Sequence, residues 1–197
     1  MINLHYLGHL IEKELGDGSK FGMHLAYSQE PEILGTGGGL KQAEWFFQGE
    51  AFFVINGDTL VDLDLGILLA FHRERHALAT MVLRDDPDAD RWGAVELDQH
   101  QRVLSINGRG RTPDTPKPRA KRMFAGIHLM HPRLLRDVPS GKESSIIDAY
   151  VRELEWGQYV RGFTMDGYWS DIGTTERYAQ VQRDVETGKI TLTGREA

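Results

Sequence analysis

The sequence predicts a three-layer α/β domain, with a mainly parallel mixed sheet held between helices, and three observations carry that prediction. Apolar runs of strand length alternate with stretches of helical periodicity, and nothing along the chain repeats or is low in complexity. Ala51-Phe52-Phe53-Val54-Ile55 is apolar at every position, as a strand covered on both faces should be. With 197 residues, 40% of them hydrophobic and 26% charged, the chain can bury one sizeable core, so a single domain over 1–197 is expected.

The elements follow in order. Leu7, Leu10, Ile11 and Leu15 recur at helical spacing until Gly16-Asp17-Gly18 turns the chain. Phe21 to Tyr27 reads as a strand, Leu40 to Phe47 as a short helix, and Ala51 to Ile55 as the buried strand. Leu65 to His76 is an amphipathic helix, Leu78 to Leu83 a strand, and Ala94 to Leu97 with Val103 to Ile106 a hairpin around Asp98-Gln99-His100-Gln101. Arg109 to Arg122, with Pro113, Pro116 and Pro118, reads as a loop. Phe124 to Met130 returns to strand, Ser144 to Leu154 to helix, and Tyr159 to Phe163 to strand. Thr175 to Val185 is a final helix that Gly188 can close.

A formal charge of −6 gives no general attraction for nucleic acid or anionic lipid and points instead to a small-molecule partner. The absence of cysteine excludes a disulfide framework, a thiolate nucleophile and a cysteine-ligated zinc. The eight histidines are dispersed and form no HExxH pair. No apolar run reaches bilayer length and the start has no signal pattern, so a soluble, cytoplasmic protein is expected.

Three segments stand at the carboxyl ends of expected strands, where open α/β sheets bind ligands: Leu34 to Leu40, Val54 to Asp58 and Gly167 to Thr174. Four glycines among the five residues Gly35 to Gly39 leave a backbone that a flat base or phosphate can approach, and serve a tight strand-to-helix turn equally well. Asp58 and Asp171 can each be a ligand for a cation or a cap for the element that follows.

Together these segments resemble the sugar-1-phosphate nucleotidyltransferase family. The likeness rests on the Glu-Pro, Leu-Gly-Thr and Gly-rich stretch from Glu30 to Leu40, on Asn56-Gly57-Asp58, and on Trp169-Ser170-Asp171-Ile172-Gly173-Thr174, in matching order and spacing. It implies a Rossmann-like nucleotidyltransferase fold and the transfer of a nucleoside monophosphate from a nucleoside triphosphate to a sugar 1-phosphate. Mg2+ is the implied cofactor, with Asp58 and Asp171 as its carboxylates, roughly 5 to 8 Å apart. Glu30, Gly35, Thr36, Gly37 and Gly38 would face the nucleotide. Trp92, Gly93 and Gly126 would line the sugar.

Two departures accompany the likeness. Where many members carry Glu-Lys-Pro, this chain has Ile106-Asn107-Gly108-Arg109; Asn107 could still meet a sugar hydroxyl and Arg109 a phosphate, which leaves the sugar open. The family's opening strand, Gly-rich loop and first helix, which hold its catalytic Arg and Lys, have no counterpart ahead of Ile2. No catalytic residue is therefore assigned, no C-terminal β-helix domain is expected, and both the activity of this chain on its own and a homo-oligomer stay open. Two other functions compete. Asp62-Leu63-Asp64 has the spacing by which sugar-nucleotide-dependent glycosyltransferases hold a metal, although it also suits a helix entry, and a non-catalytic nucleotide-sugar-binding module would keep the fold without the chemistry.

Overall fold

The computed structural model describes residues 1–190; the last residues of the expected domain, 191–197, lie outside the described residues. The chain opens with strand β1 (Ile2–Leu4), helix α1 (Gly8–Leu15), strand β2 (Tyr27–Gln29) and helix α2 (Gly35–Gln42). Strands β3 (Phe52–Ile55) and β4 (Thr59–Val61) lead to helix α3 (Leu65–Glu74) and strand β5 (Ala79–Arg84). A short helix α4 (Ala89–Trp92) precedes the hairpin β6 (Ala94–Leu97) and β7 (Val103–Ile106), and the long strand β8 (Ala120–Met130) follows. Helix α5 (Ile146–Glu155), strands β9 (Val160–Thr164) and β10 (Trp169–Asp171), and helix α6 (Thr175–Glu186) complete it.

The main sheet has six strands, ordered β7-β6-β8-β5-β9, with β3 also on β8. β3, β5, β6 and β9 run the same way, but β8 lies antiparallel between them, so β5 with β9 is its parallel pairing. β8 serves two partners along one edge, β6 through Ala120–Met123 and β3 through Ile127–Met130. Between them Gly126 takes a φ of 76°. There β8 advances four residues, Phe124 to His128, while β5 advances two, Leu83 to Met81, the mark of a bulge.

Alternate residues of β5 enter different cores, as strand geometry requires. Ala79, Met81 and Leu83 join Tyr150 and Leu154 of α5 on one face; Val82 joins Leu68 of α3 on the other. Helices on both faces make the three layers. Capping sets where they begin: Asp64 accepts from Gly66 and Ile67 N–H at 2.7 and 3.1 Å, Ser145 from Ile147 at 3.2 Å and Thr174 from Arg177 at 3.2 Å. The Asp64 carboxylate is thus engaged by its own helix, and the Asp62-Leu63-Asp64 spacing is a helix entry.

Five expectations need correction. The main sheet, expected to be mainly parallel, has one parallel pairing, β5 with β9, beside four antiparallel ones among the described residues, because β8 inserts antiparallel between strands that run the same way. Strand β3, expected to be covered on both faces, is only partly buried, with Ile55 44% exposed. Phe21 to Tyr27 is mostly a 3-10 turn (Ser19–Phe21) and loop, with the strand beginning only at Tyr27. The helix expected from Leu40 begins at Gly35, because packing rather than propensity supports its glycines. The apolar stripe of α1 is exposed, with Leu7 at 45% and Leu10 at 49%, so its periodicity marks a helix but no core face. β1 and β2 form a separate parallel pair, and β3 pairs on one edge alone among the described residues.

Candidate active site

The glycine run is shaped by its own protein. A Cβ on Gly38 would stand 2.5 Å from the Lys142 carbonyl, one on Gly37 2.9 Å from Ser144 Oγ, and one on Gly39 against Glu30 Oε1. The Ser144 carbonyl also accepts from Gly37 and Gly38 N–H at 2.8 and 3.4 Å, so these two donors of the α2 amino end are engaged. Gly35 needs its freedom for a φ of 65°, and Thr36 Oγ1 accepts from Ile146 N–H at 3.0 Å, tying the start of α2 to the start of α5. Glu30 is buried behind the turn, where Asn3 Nδ2 donates to one oxygen at 2.7 Å and Leu34 N–H to the other at 2.9 Å. Its carboxylate braces the loop from behind and does not face open space, contrary to its expected position.

In front of the turn lies a cleft of about 530 Å³. Gly35, Thr36 and Gly39 border it together with Trp92, Gly93, Asn107 and the apolar residues of β3. Trp92, Gly93 and Asn107 also border a second hollow of about 480 Å³ with Glu96 and Lys121. Burial opposes the charge of Glu96, but the Ser105 hydroxyl and the Arg111 guanidinium outweigh it and hold its carboxyl below the usual range. Asn107 and Gly108, at φ 52° and 74°, form a two-residue turn closed by Ile106 and Arg109. Arg109 is paired with Asp148 at 2.8 Å and is not among the residues bordering either cleft. Gly126 is covered by Asn56, whose Nδ2 would lie 2.6 Å from a Cβ there; the strand supports Asn56, and Asn56 reaches the cleft.

Asp58 and Asp171 converge. β4 and β10 form an antiparallel ribbon in which Thr59 faces Asp171, and Ile172 N–H donates to the Asp58 carbonyl at 2.8 Å. An ideal Cβ on Gly173 would lie 3.0 Å from Asp171 Oδ1 and 3.1 Å from Asp58 Oδ2, which puts those oxygens no more than about 6 Å apart. The missing Cβ leaves the space between two hard anionic oxygens open, and this donor chemistry fits Mg2+. Arg177 donates to Asp171 Oδ2 at 2.6 Å, and its guanidinium carbon lies 5.0 Å from the centre of the Trp92 ring.

The sequence matches the nucleotidyl transferase family over residues 1–188. The chain belongs to this family. It is 31% identical to UTP–glucose-1-phosphate uridylyltransferase of Synechocystis sp., over 96% of this chain and 52% of that protein. It is 30% identical to mannose-1-phosphate guanylyltransferase of Mycobacterium tuberculosis, over 95% of this chain and 52% of that protein. The chain thus spans about half the length of these two relatives. Its fold is similar to that of HddC from Yersinia pseudotuberculosis complexed with GMP-PN, at a TM-score of 0.72 and 23% identity over 92% of this chain and 76% of that one. The resemblance drawn from the motifs therefore holds, as does the Rossmann-like nucleotidyltransferase fold.

Within this site the sequence reading missed Arg177, Asn56 and His128. Arg177 sits six residues beyond Asp171, a spacing that pairs them only because the chain turns at Gly173. His128, on the cleft wall, shares a 2.7 Å hydrogen bond with the Tyr150 hydroxyl, and burial holds its imidazole down to about 3. Burial likewise pushes the Tyr150 phenol up.

Proposed function

We propose that this protein transfers a nucleoside monophosphate from a nucleoside triphosphate to a sugar 1-phosphate. A phosphate oxygen of the sugar phosphate attacks the α-phosphorus, the bond to the β-phosphate oxygen breaks, and pyrophosphate leaves. The observation that carries the reading is the pair of carboxylates bordering one open point at Gly173. Asp58 and Asp171 would hold Mg2+, which when bound neutralises phosphate charge and orients the reacting groups. Gly35 and Thr36 offer backbone to the nucleotide in the cleft, while Trp92, Gly93 and Asn107 offer an aromatic face and an amide to the sugar. The family relatives support this reading, being named for uridylyl and guanylyl transfer to glucose and mannose 1-phosphates.

No helix among the described residues is long and apolar enough to cross a membrane. The reading includes a cytoplasmic setting, consistent with a cysteine-free chain. Incubation with each of several nucleoside triphosphates and sugar 1-phosphates should release pyrophosphate and form a nucleotide sugar only with Mg2+ present. Glycosyl transfer from a nucleotide sugar without pyrophosphate release would replace the reading with the glycosyltransferase alternative.

A further inference from the structure

Arg177 joins two parts of the site that the transfer reaction must use together. Its Nη1 donates to Asp171 Oδ2 at 2.6 Å, and the same guanidinium lies over the face of Trp92, 5.0 Å from the ring centre. Asp171 Oδ1, which borders the open point at Gly173, also accepts from the Gly173 N–H at 2.7 Å, while Arg177 holds the other oxygen of the same carboxylate. No cation pairs with Asp58 among the described residues, although its Oδ2 borders the same open point. The side chains of Arg177 and Asp171 are 39% and 25% exposed, so water and ions reach the pair. Trp92 borders both hollows of the cleft.

We infer that Arg177 is a resident cation that exchanges with a divalent metal ion on Asp171 and uses the face of Trp92 as its second seat. The inference rests on the metal reading of Asp58 and Asp171 given above. Two like charges on one carboxylate repel, and a divalent ion with a second carboxylate in reach outcompetes a single guanidinium. A displaced guanidinium stays within reach of an aromatic face that attracts it, so the arginine remains in the site without returning to open water. There it lends positive charge to the cleft once its own anion is taken. Before the metal arrives, the ion pair offsets part of the repulsion between the carboxylates.

Mn2+ binding followed by electron paramagnetic resonance, without substrates, tests the exchange. Arg177→Ala should bind Mn2+ about two- to fivefold more tightly than the unmodified chain, the range for loss of a partly exposed ion-pair competitor. Arg177→Lys should lie between, and Asp58→Asn and Asp171→Asn should both lose the site. Equal or weaker Mn2+ binding by Arg177→Ala would overturn the exchange while leaving the metal site standing, provided the Asn variants still lose binding. Mn2+ binding that survives both Asn variants, or no binding by any form, would overturn the metal reading and the exchange with it. In a second arm, Mg2+ should change the tryptophan fluorescence of the unmodified chain, and Trp92→Phe and Arg177→Ala should each remove that change. A response that persists in both variants would overturn the second seat on Trp92.

Discussion

Asp58 and Asp171 both border one point in space, the position that a Cβ on Gly173 would fill, 3.1 and 3.0 Å from their oxygens. Backbone bonds fix the arrangement, because the Asp58 carbonyl receives Ile172 N–H while Asp171 Oδ1 receives Gly173 N–H. Residues more than a hundred positions apart in sequence are thereby locked into one frame.

Gly173→Ala should therefore act on the metal and not on the fold. Gly173 is not among the glycines of positive φ, so alanine meets no backbone strain, and its neighbours are carboxylates. The melting temperature should stay within a few degrees, while the Mg2+ concentration for half-maximal pyrophosphate release should rise about tenfold or more. A tenfold change corresponds to roughly 1.4 kcal/mol, modest for a methyl group set between two ligands. Titrating pyrophosphate release against Mg2+ checks it.

Asp58→Asn and Asp171→Asn should lower the transfer rate about 100-fold or more, a range typical of removing one electrostatic contact to a charged transition state. Nucleotide binding should change far less, because the lost interaction grows as the phosphorus is attacked. Single-turnover rates beside equilibrium nucleotide binding separate the two effects.

Gly38→Ala should destabilise the protein by about 1–3 kcal/mol, as overpacking does. Its Cβ would stand 2.5 Å from the Lys142 carbonyl and 2.9 Å from Leu34 Cβ, and the carbonyl belongs to backbone that cannot rotate away. A domain of this size loses about 2–4 °C of melting temperature per kcal/mol. Calorimetry of the variant reads the cost directly.

That packing explains what was and was not legible in the sequence. The strand at Phe52–Ile55, though not the burial expected of it, the hairpin around Asp98 to Gln101 and the Ser145 and Thr174 helix starts follow from period, turn chemistry and caps, which are local. The convergence of Asp58 with Asp171 came from the motifs. The reason for the glycine run was not local: it packs against Ser144 and Lys142, about a hundred residues away, and the same close contact turns Glu30 into a brace. Arg109 looked free to bind phosphate until α5 brought Asp148 to it. The β4 and β10 ribbon was missed because each strand is three residues long and too short to show a period.

Stability should fall as the pH drops below about 6.5. Burial holds His128 down to about 3, and lowers His72 as well, so the folded chain refuses protons that the unfolded chain accepts. Stability is then full above the unfolded value near 6.5 and is lost as acidity grows towards the folded value, at about 1.4 kcal/mol per pH unit for His128, with His72 adding in the same direction. His128→Gln should be less stable at pH 7.5, through the altered contact with Tyr150, yet show a shallower decline between pH 6.5 and 5. Urea midpoints of the two proteins across that range test the sign.

Asn107 has two roles that substitution can separate. Its φ of 52° places it in the left-handed region, where alanine costs roughly 1–2 kcal/mol and glycine costs no such strain. Asn107→Gly should accordingly keep the turn, including the Asn107 N–H bond to the Ala94 carbonyl at 2.7 Å, and keep the melting temperature close to its original value. Asn107→Ala should lower it by several degrees. Both variants lack the amide offered to the sugar. If that amide meets a sugar hydroxyl, both should raise the KM for the sugar 1-phosphate by about three- to tenfold, the effect of one neutral hydrogen bond, and leave the KM for the triphosphate unchanged. A normal sugar phosphate KM in Asn107→Gly would assign Asn107 to the turn alone, because only in that variant is the turn preserved while the amide is gone.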